Sequence, residues 1–239
     1  MLSDDRLFVR DVLLASCAEC GVRDLAVCAS VGDADLRRFA ELMSEVVLAP
    51  GASLFTDGAP AYHVFTVTAG VLKITKRLPS GKSQIAGFLS IGDYLGLAHG
   101  KTYTCGALAV TAVRLCRFPR DRLLRLLAEL PPLEHCLRAR ASNEHAAAHA
   151  LLLARKTPVE RLAAFLLAEA HRGERRSRPA PVIELAMSRA DLADHLGLTG
   201  EAVNEAFARL KRDRLVSLSD PAHVRLDRPE ALAGLIADA

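Results

Sequence analysis

Three cysteines lie in one short run near the N-terminus, Cys17, Cys20 and Cys28, spaced C-x2-C-x7-C. Two thiolates two residues apart reach the same side of a tight turn. They can grip one metal ion or one face of a metal–sulfur cluster. The third reaches back once the chain folds over. A fourth ligand must come from elsewhere, and Cys105, Cys116 and Cys136 are the candidates. Structural zinc is the neighbouring reading, although its usual pattern has two close pairs where this chain has one. Inert buried cysteines are the plain alternative. Disulfides are disfavoured. No apolar segment follows a basic start at the N-terminus, which predicts a cytoplasmic protein with reduced thiols.

Other chemistry is thinly represented. A β-roll metalloenzyme of the cupin type needs His-x-His and a carboxylate on neighbouring strands, and here His63 and His99 stand alone. No nucleophile–base set is evident, so an enzyme is not expected. His145 and His149 interrupt an apolar stripe and read as solvated or interface-edge residues. No apolar run is long enough to span a membrane.

The chain has 239 residues, which suits two modest domains or one large one, and with half of them hydrophobic and a quarter charged it reads as globular and soluble. Net charge is +3 overall. Residues 157–239 hold 12 Lys/Arg and 13 Asp/Glu, a net of −1, and the remainder carries +4. The C-terminal part is therefore not basic as a whole.

The elements that must position these residues follow from pattern. Residues 4–15 read as an amphipathic lead-in. Asp33 can cap a helix to about Met43, with Leu36, Phe39, Leu42 and Met43 at helical spacing. From Val46 to Phe118 short apolar runs alternate with Gly-containing turns. The expected strands are Val46–Leu48, His63–Thr68, Val71–Lys76, Ile85–Leu89, Ala107–Val110 and Arg114–Phe118, in an antiparallel roll or barrel. A short helix over Asp121–Leu130 ends at Pro131-Pro132. Leu133 to Lys156 then has no Gly or Pro. A helix there would exceed about 30 Å, too long for one small roll to cover, so a second copy is the expected partner.

Thr157-Pro158-Val159-Glu160 is a capping box that opens a helix to about His171. Gly173–Pro181 is a basic, Pro-bearing loop. Ser188 opens the helix Arg189–Leu196, which Gly197 stops, and a second helix runs from about Glu201 to Arg212. Leu215–Leu218, a turn at Ser219-Asp220-Pro221, and His223–Leu226 read as a two-stranded wing, and Asp227 to Glu230 caps a last helix. Two helices joined by a tight Gly turn place the second in a DNA major groove. The fold class expected is α+β, divided as 1–32 cysteine segment, 33–119 β-roll, 120–156 dimerisation region and 157–239 winged helix-turn-helix.

This order of elements resembles the cyclic-AMP receptor/FNR superfamily of bacterial transcription regulators, over nearly the whole chain. The iron–sulfur oxygen sensors of the FNR branch are the nearest likeness. The stretches that carry it are the cysteine run, Gly87–Asp93, Glu160–Phe165 and Met187–Thr199. In that branch the fourth cysteine lies near the end of the roll, and Arg114-Leu115-Cys116-Arg117-Phe118-Pro119 fits. The resemblance implies a [4Fe–4S] cluster on Cys17, Cys20, Cys28 and Cys116. It also implies a homodimer whose formation the cluster controls, a double-stranded DNA operator, and RNA polymerase as a partner. It implies no membrane.

Cyclic-nucleotide members of the superfamily hold the phosphate with a Gly-Glu pair and an Arg-Ser/Thr-Ala run. Here those places read Gly92-Asp93 and Tyr103-Thr104-Cys105, and the arginine is missing, so no cyclic nucleotide is expected. Implied DNA contacts are Ser188, Arg189, Thr199, Glu201, Asn204, Glu205, Arg209 and Lys211. At the reading face the FNR pattern is Glu-x-x-Ser-Arg, whereas this chain has Glu201-Ala202-Val203-Asn204-Glu205. Glu205 stands where an arginine would read guanine, which implies weak or altered base readout. Arg212 and Arg214 offer further phosphate contacts. A zinc site or another effector is the alternative regulator reading.

Overall fold

The computed structural model describes residues 7–11, 17, 20–97, 100–137, 157–174 and 182–237. The chain divides into two compact units, Met1–Ser142 and Asn143–Ala239.

The first unit is built on a roll of two antiparallel sheets. Its strands are β1 (Leu7–Asp11), β2 (Ser44–Leu48), β3 (Ser53–Phe55), β4 (His63–Ala69), β5 (Leu72–Arg77), β6 (Ser83–Leu89), β7 (Tyr94–Leu95), β8 (Gly106–Ala109) and β9 (Val113–Pro119). One sheet has the order β1-β2-β9-β4-β7 and the other β3-β8-β5-β6. All six expected strands are present, with ends shifted by one or two residues. Strands β3 and β7 are too short for periodicity to reveal. Part of the expected amphipathic lead-in is strand β1, which runs antiparallel to β2 from Leu7↔Leu48 to Asp11↔Ser44. An edge strand acquires its conformation from the neighbour that supplies its hydrogen bonds.

Alternation along β9 sorts its side chains to two faces. Val113 and Leu115 are fully buried inside the roll with Leu48, Val67 and Leu72. Phe118 and the half-buried Cys116 point to the other face, into a second core with Phe39, Leu123, Leu126, Leu133 and Leu137. That second core fastens α1 (Asp33–Ala40), α2 (Arg120–Glu129) and α3 (residues 131–137) onto the roll.

Two helix ends differ from expectation. Gly32, not Asp33, is the N-cap of α1, with no side-chain cap bond. Pro131 and Pro132 open the next helix instead of merely ending α2, because the first turn of a helix needs none of their missing N–H groups. The expected helix Leu133–Lys156 is seen from its start through Leu137, and its remainder lies outside the described residues. So do His99, His145, His149 and most of the Gly173–Pro181 loop.

The second unit comprises α4 (Pro158–Glu174), β10 (Val182–Glu184), α5 (Arg189–Leu196), α6 (Gly200–Arg212), β11 (Val216–Leu218), β12 (His223–Leu226) and α7 (Pro229–Ala237). The capping box holds reciprocally. The Thr157 amide donates to Glu160 Oε2 at 3.0 Å, and the Glu160 amide donates to Thr157 Oγ1 at 3.4 Å. The wing gains β10 as a third strand, in the order β10-β12-β11. Leu162, Leu166, Leu192, Val203, Leu210 and Leu232 are almost wholly buried, so each helix contributes a stripe to this unit's core.

Candidate cysteine site and nucleic-acid interface

After Cys17 and Cys20 the chain makes two short 3-10 turns, Arg23–Leu25 and Val27–Ser30. The second carries Cys28. These turns are closed by local bonds. The Arg23 amide donates to the Cys20 carbonyl at 3.0 Å. Arg23 Nη2 donates to the Val31 carbonyl at 3.2 Å, and Cys28 Sγ to the Arg23 carbonyl at 3.8 Å. The loop rests on the roll at Gly92. A Cβ on Gly92 would lie 2.7 Å from the Leu25 carbonyl oxygen, and its φ of +89° is one that side-chain-bearing residues rarely adopt. Sequence reasoning sees Gly92 only as a turn residue, since its role depends on a loop 67 positions away.

Cys116 comes from the middle of β9, paired with Glu45 on β2 and Thr66 on β4. Cys17, Cys20, Cys28 and Cys116 all line one partly open pocket with a cavity volume of about 30 Å³. Its walls are mainly apolar, from Val22, Ala26, Leu36, Phe39, Met43 and Phe118. Toward solvent the same thiols of Cys17, Cys20 and Cys116 border a more polar recess with Glu45 and Arg114. Arg114 Nε and Nη2 donate to Glu45 Oε1 at 2.8 and 2.6 Å.

Burial raises the Cys116 pKa to about 12, helped by the Cys17, Cys20 and Cys28 thiols and by Glu45. Burial and the Cys20 thiol push Cys28 up to about 11. Cys17 is raised by the same two causes, against an opposing pull from Arg23. Cys17, Cys28 and Cys116 are thus each held toward the protonated form by burial and by neighbouring thiols, so binding a cationic centre there releases protons. Cys105 packs against the roll interior and Cys136 sits on the 131–137 helix; neither lines this pocket.

The donor set suits a cluster. Among the described residues no group of three or more His, Cys, Asp or Glu side chains is arranged to hold a single metal ion. The four cysteines border one largely apolar pocket, and four thiolates are the usual ligands of an iron–sulfur cluster.

The residues at the places where cyclic-nucleotide members hold the phosphate make contacts within the roll. Tyr103 stacks on Phe55 with centroids 3.7 Å apart and donates to the His63 carbonyl at 2.8 Å. Asp93 Oδ2 accepts the Ser90 amide at 2.9 Å, closing its own turn. His63 has its pKa lowered by burial and by Arg117.

In the second unit, α5, a turn and α6 form the helix-turn-helix. Ser188 Oγ accepts the Asp191 amide at 3.0 Å, and Thr199 Oγ1 accepts the Ala202 amide at 3.1 Å. Gly197 ends α5 at φ +64°. Arg161 Nη1 donates to the Leu196 carbonyl at 2.9 Å and ties α4 to the turn. On α6, Val203, Ala206, Phe207 and Leu210 are buried, while Glu201, Asn204, Glu205 and Ala208 are exposed together on the other face. Lys211, Arg212 and Arg214 are exposed at its end. Arg209 Nε donates to Asp213 Oδ2 at 2.6 Å, so its charge is partly committed within the helix. Arg189 Cζ lies 3.6 Å above the Phe207 ring.

Residues 160–235 match the Crp-like helix-turn-helix domain, and residues 45–129 match the cyclic nucleotide-binding domain. The chain is 35% identical over 220 residues to the transcriptional activatory protein AadR of Rhodopseudomonas palustris, covering 91% of this chain and 92% of that one. It is 35% identical over 226 residues to the nitrogen fixation regulation protein FixK of Bradyrhizobium diazoefficiens, covering 91% and 93%. The solved structure of FixK2 from Bradyrhizobium japonicum superposes with a TM-score of 0.73 at 31% identity, over 82% of this chain and 98% of that one.

Proposed function

Because the chain belongs to the CRP/FNR family of DNA-binding transcription regulators, we propose that it senses oxygen through a [4Fe–4S] cluster on Cys17, Cys20, Cys28 and Cys116. It is a regulator and not an enzyme. The observation that carries the proposal is the convergence of those four thiols, from two distant stretches, on one apolar pocket. When bound, such a cluster supplies a centre that oxygen destroys.

The chain's own residues supply the coupling. With the cluster bound, Cys17, Cys20 and Cys28 on the N-terminal loop and Cys116 on β9 would hold the loop to the roll. Cys28 and Cys116 also pack against the core that holds Leu133 and Leu137, at the start of the expected dimerisation helix. Tyr94, two residues beyond the Gly92 seat of the loop, donates to the Leu137 carbonyl at 2.9 Å. Release of the loop loosens the support of that helix, and with it the pairing that sets two recognition helices one DNA turn apart. In this reading the protein acts in the cytoplasm as a homodimer that meets RNA polymerase at the operator. Among the described residues no helix is long and apolar enough to cross a membrane.

The exposed face of α6 supports altered base readout. Glu201 and Glu205 are acceptors only, and Asn204 both donates and accepts. Cytosine N4 is the natural partner for such carboxylates.

Purification without air tests the sensor. The expected result is a brown protein with iron and sulfide in equal amounts, dimeric by light scattering, that loses colour and shifts toward monomer in air. A colourless protein containing zinc overturns the cluster reading, and an unchanged mass in air overturns the dimerisation switch.

A further inference from the structure

Cys116 has charged neighbours on its own face of the sheet. Glu45 on β2 is its register partner, and directly opposed residues of an antiparallel pair share a face, with Cβ atoms about 4.5–5.5 Å apart. Arg114 lies two positions before Cys116 on β9 and so points to that face as well. Arg114 Nε and Nη2 both donate to Glu45 Oε1, at 2.8 and 2.6 Å. The Glu45 side chain is only 18% exposed, whereas that of Arg114 is 62% exposed. The acid is therefore held against the site, and the base covers it from the solvent side. Both border the recess of about 330 Å³ onto which Cys17, Cys20 and Cys116 open. The recess is a roomier approach to these thiols than the apolar pocket, whose cavity is about 30 Å³.

We propose that Glu45 and Arg114 are a charge pair that sets the electrostatic potential at the Cys116 end of the site, and that Arg114 thereby slows loss of the cluster in air. This rests on the cluster reading above. Neither residue is a ligand, and both act through Cys116. The potential of an iron–sulfur centre follows the net charge around it. Glu45 alone would add a negative charge beside thiolates that are already anionic. Arg114 offsets it, and the mostly enclosed carboxylate keeps the guanidinium in place. In the first step of attack the cluster is oxidised by one electron and dioxygen is reduced to superoxide. A negative neighbour favours departure of that electron, and a positive one opposes it.

The test has two arms, both on the full chain. In the first, protein prepared without air is mixed with air-saturated buffer and its colour is followed. Arg114→Gln leaves Glu45 without its cation and should speed the loss by about 3- to 10-fold. Glu45→Gln leaves Arg114 without its anion and should slow the loss by a similar factor. The double variant should return to the parent rate. A pair that merely joined β2 to β9 would give faster loss in both single variants, and that result overturns the proposal. The second arm needs no cluster. The reduced, cluster-free chain is treated with cationic trimethylammonioethyl or anionic sulfonatoethyl methanethiosulfonate, and labelling of Cys116 is read by peptide mass. The thiolate attacks the reagent's sulfenyl sulfur and methanesulfinate leaves, so the ionised fraction of the thiol cancels from the ratio of the two rates. Arg114→Gln should raise the cation-to-anion ratio by about 3- to 10-fold, and Glu45→Gln should lower it as much. An unchanged ratio in both single variants overturns the proposal. A parent protein that is colourless without air overturns the cluster reading instead, and the ratio then still decides whether the pair sets the charge at Cys116.

Discussion

The cysteine pocket joins an N-terminal loop to the middle of β9, and no bond within either stretch brings them together. The helix-turn-helix is set mostly by bonds three to five residues long: Ser188 to Asp191, Thr199 to Ala202, and the Leu198 amide to the Ala193 carbonyl. The pocket is mainly apolar, and burial raises the pKa of Cys17, Cys28 and Cys116. The reading face of α6 lies in solvent, where charges are screened and each contributes little to stability. A buried, non-local site is coupled to everything that forms it. An exposed, local one can change its chemistry while its scaffold stays intact. Glu205 lies exposed on a recognition helix whose Thr199 cap is intact.

The largest effect expected is at Cys116. Cys116→Ser should abolish visible absorption and iron binding, whereas Cys105→Ser and Cys136→Ser should leave both unchanged. Equal loss in all three would place the cluster elsewhere and dissolve the contrast between the two regions. Next comes Glu205→Arg. A regained arginine–guanine contact contributes about 1–3 kcal/mol per half-site, and a dimer gains it twice, so affinity for an FNR-type site should rise ~30-fold to ~10⁴-fold. Absorption should not move. Competition titration on that duplex reads the outcome, and an unchanged affinity would mean that Glu205 does not face the groove.

A smaller effect is expected from Gly92→Ala. Its positive φ and the approach to the Leu25 carbonyl should cost roughly 1–3 kcal/mol in the N-terminal unit and hasten loss of colour in air. Unaltered decay would show that the loop does not lean on this turn. Smallest is Ser188→Ala, a cap loss of about 1 kcal/mol. Calorimetry should show it in the C-terminal unit alone, with iron content and decay in air unaffected.

Much was legible in the sequence because its causes are local. Capping residues, Gly turns, period-2 strands and the two-helix motif each announce themselves within a few positions, and they placed the six expected strands of the roll and the two helices of the motif to within a residue or two. The likeness of Arg114–Pro119 to its relatives pointed to Cys116 over Cys105 and Cys136; the fold adds that only Cys116 shares the pocket of the other three. Tertiary structure alone decided the rest. Leu7–Asp11 is a strand because β2 offers it a partner. Gly92 matters because Leu25 arrives there. Tyr94 reaches Leu137 across a core built from separate helices. Arg189 reads in sequence as a free cation at a helix start, and it is engaged only because α6 and the wing bring Phe207 and Pro221 to it. Sequence spacing encodes contacts made within one turn of helix or strand. Contacts between distant segments exist only once burial of the shared apolar surface has brought those segments together.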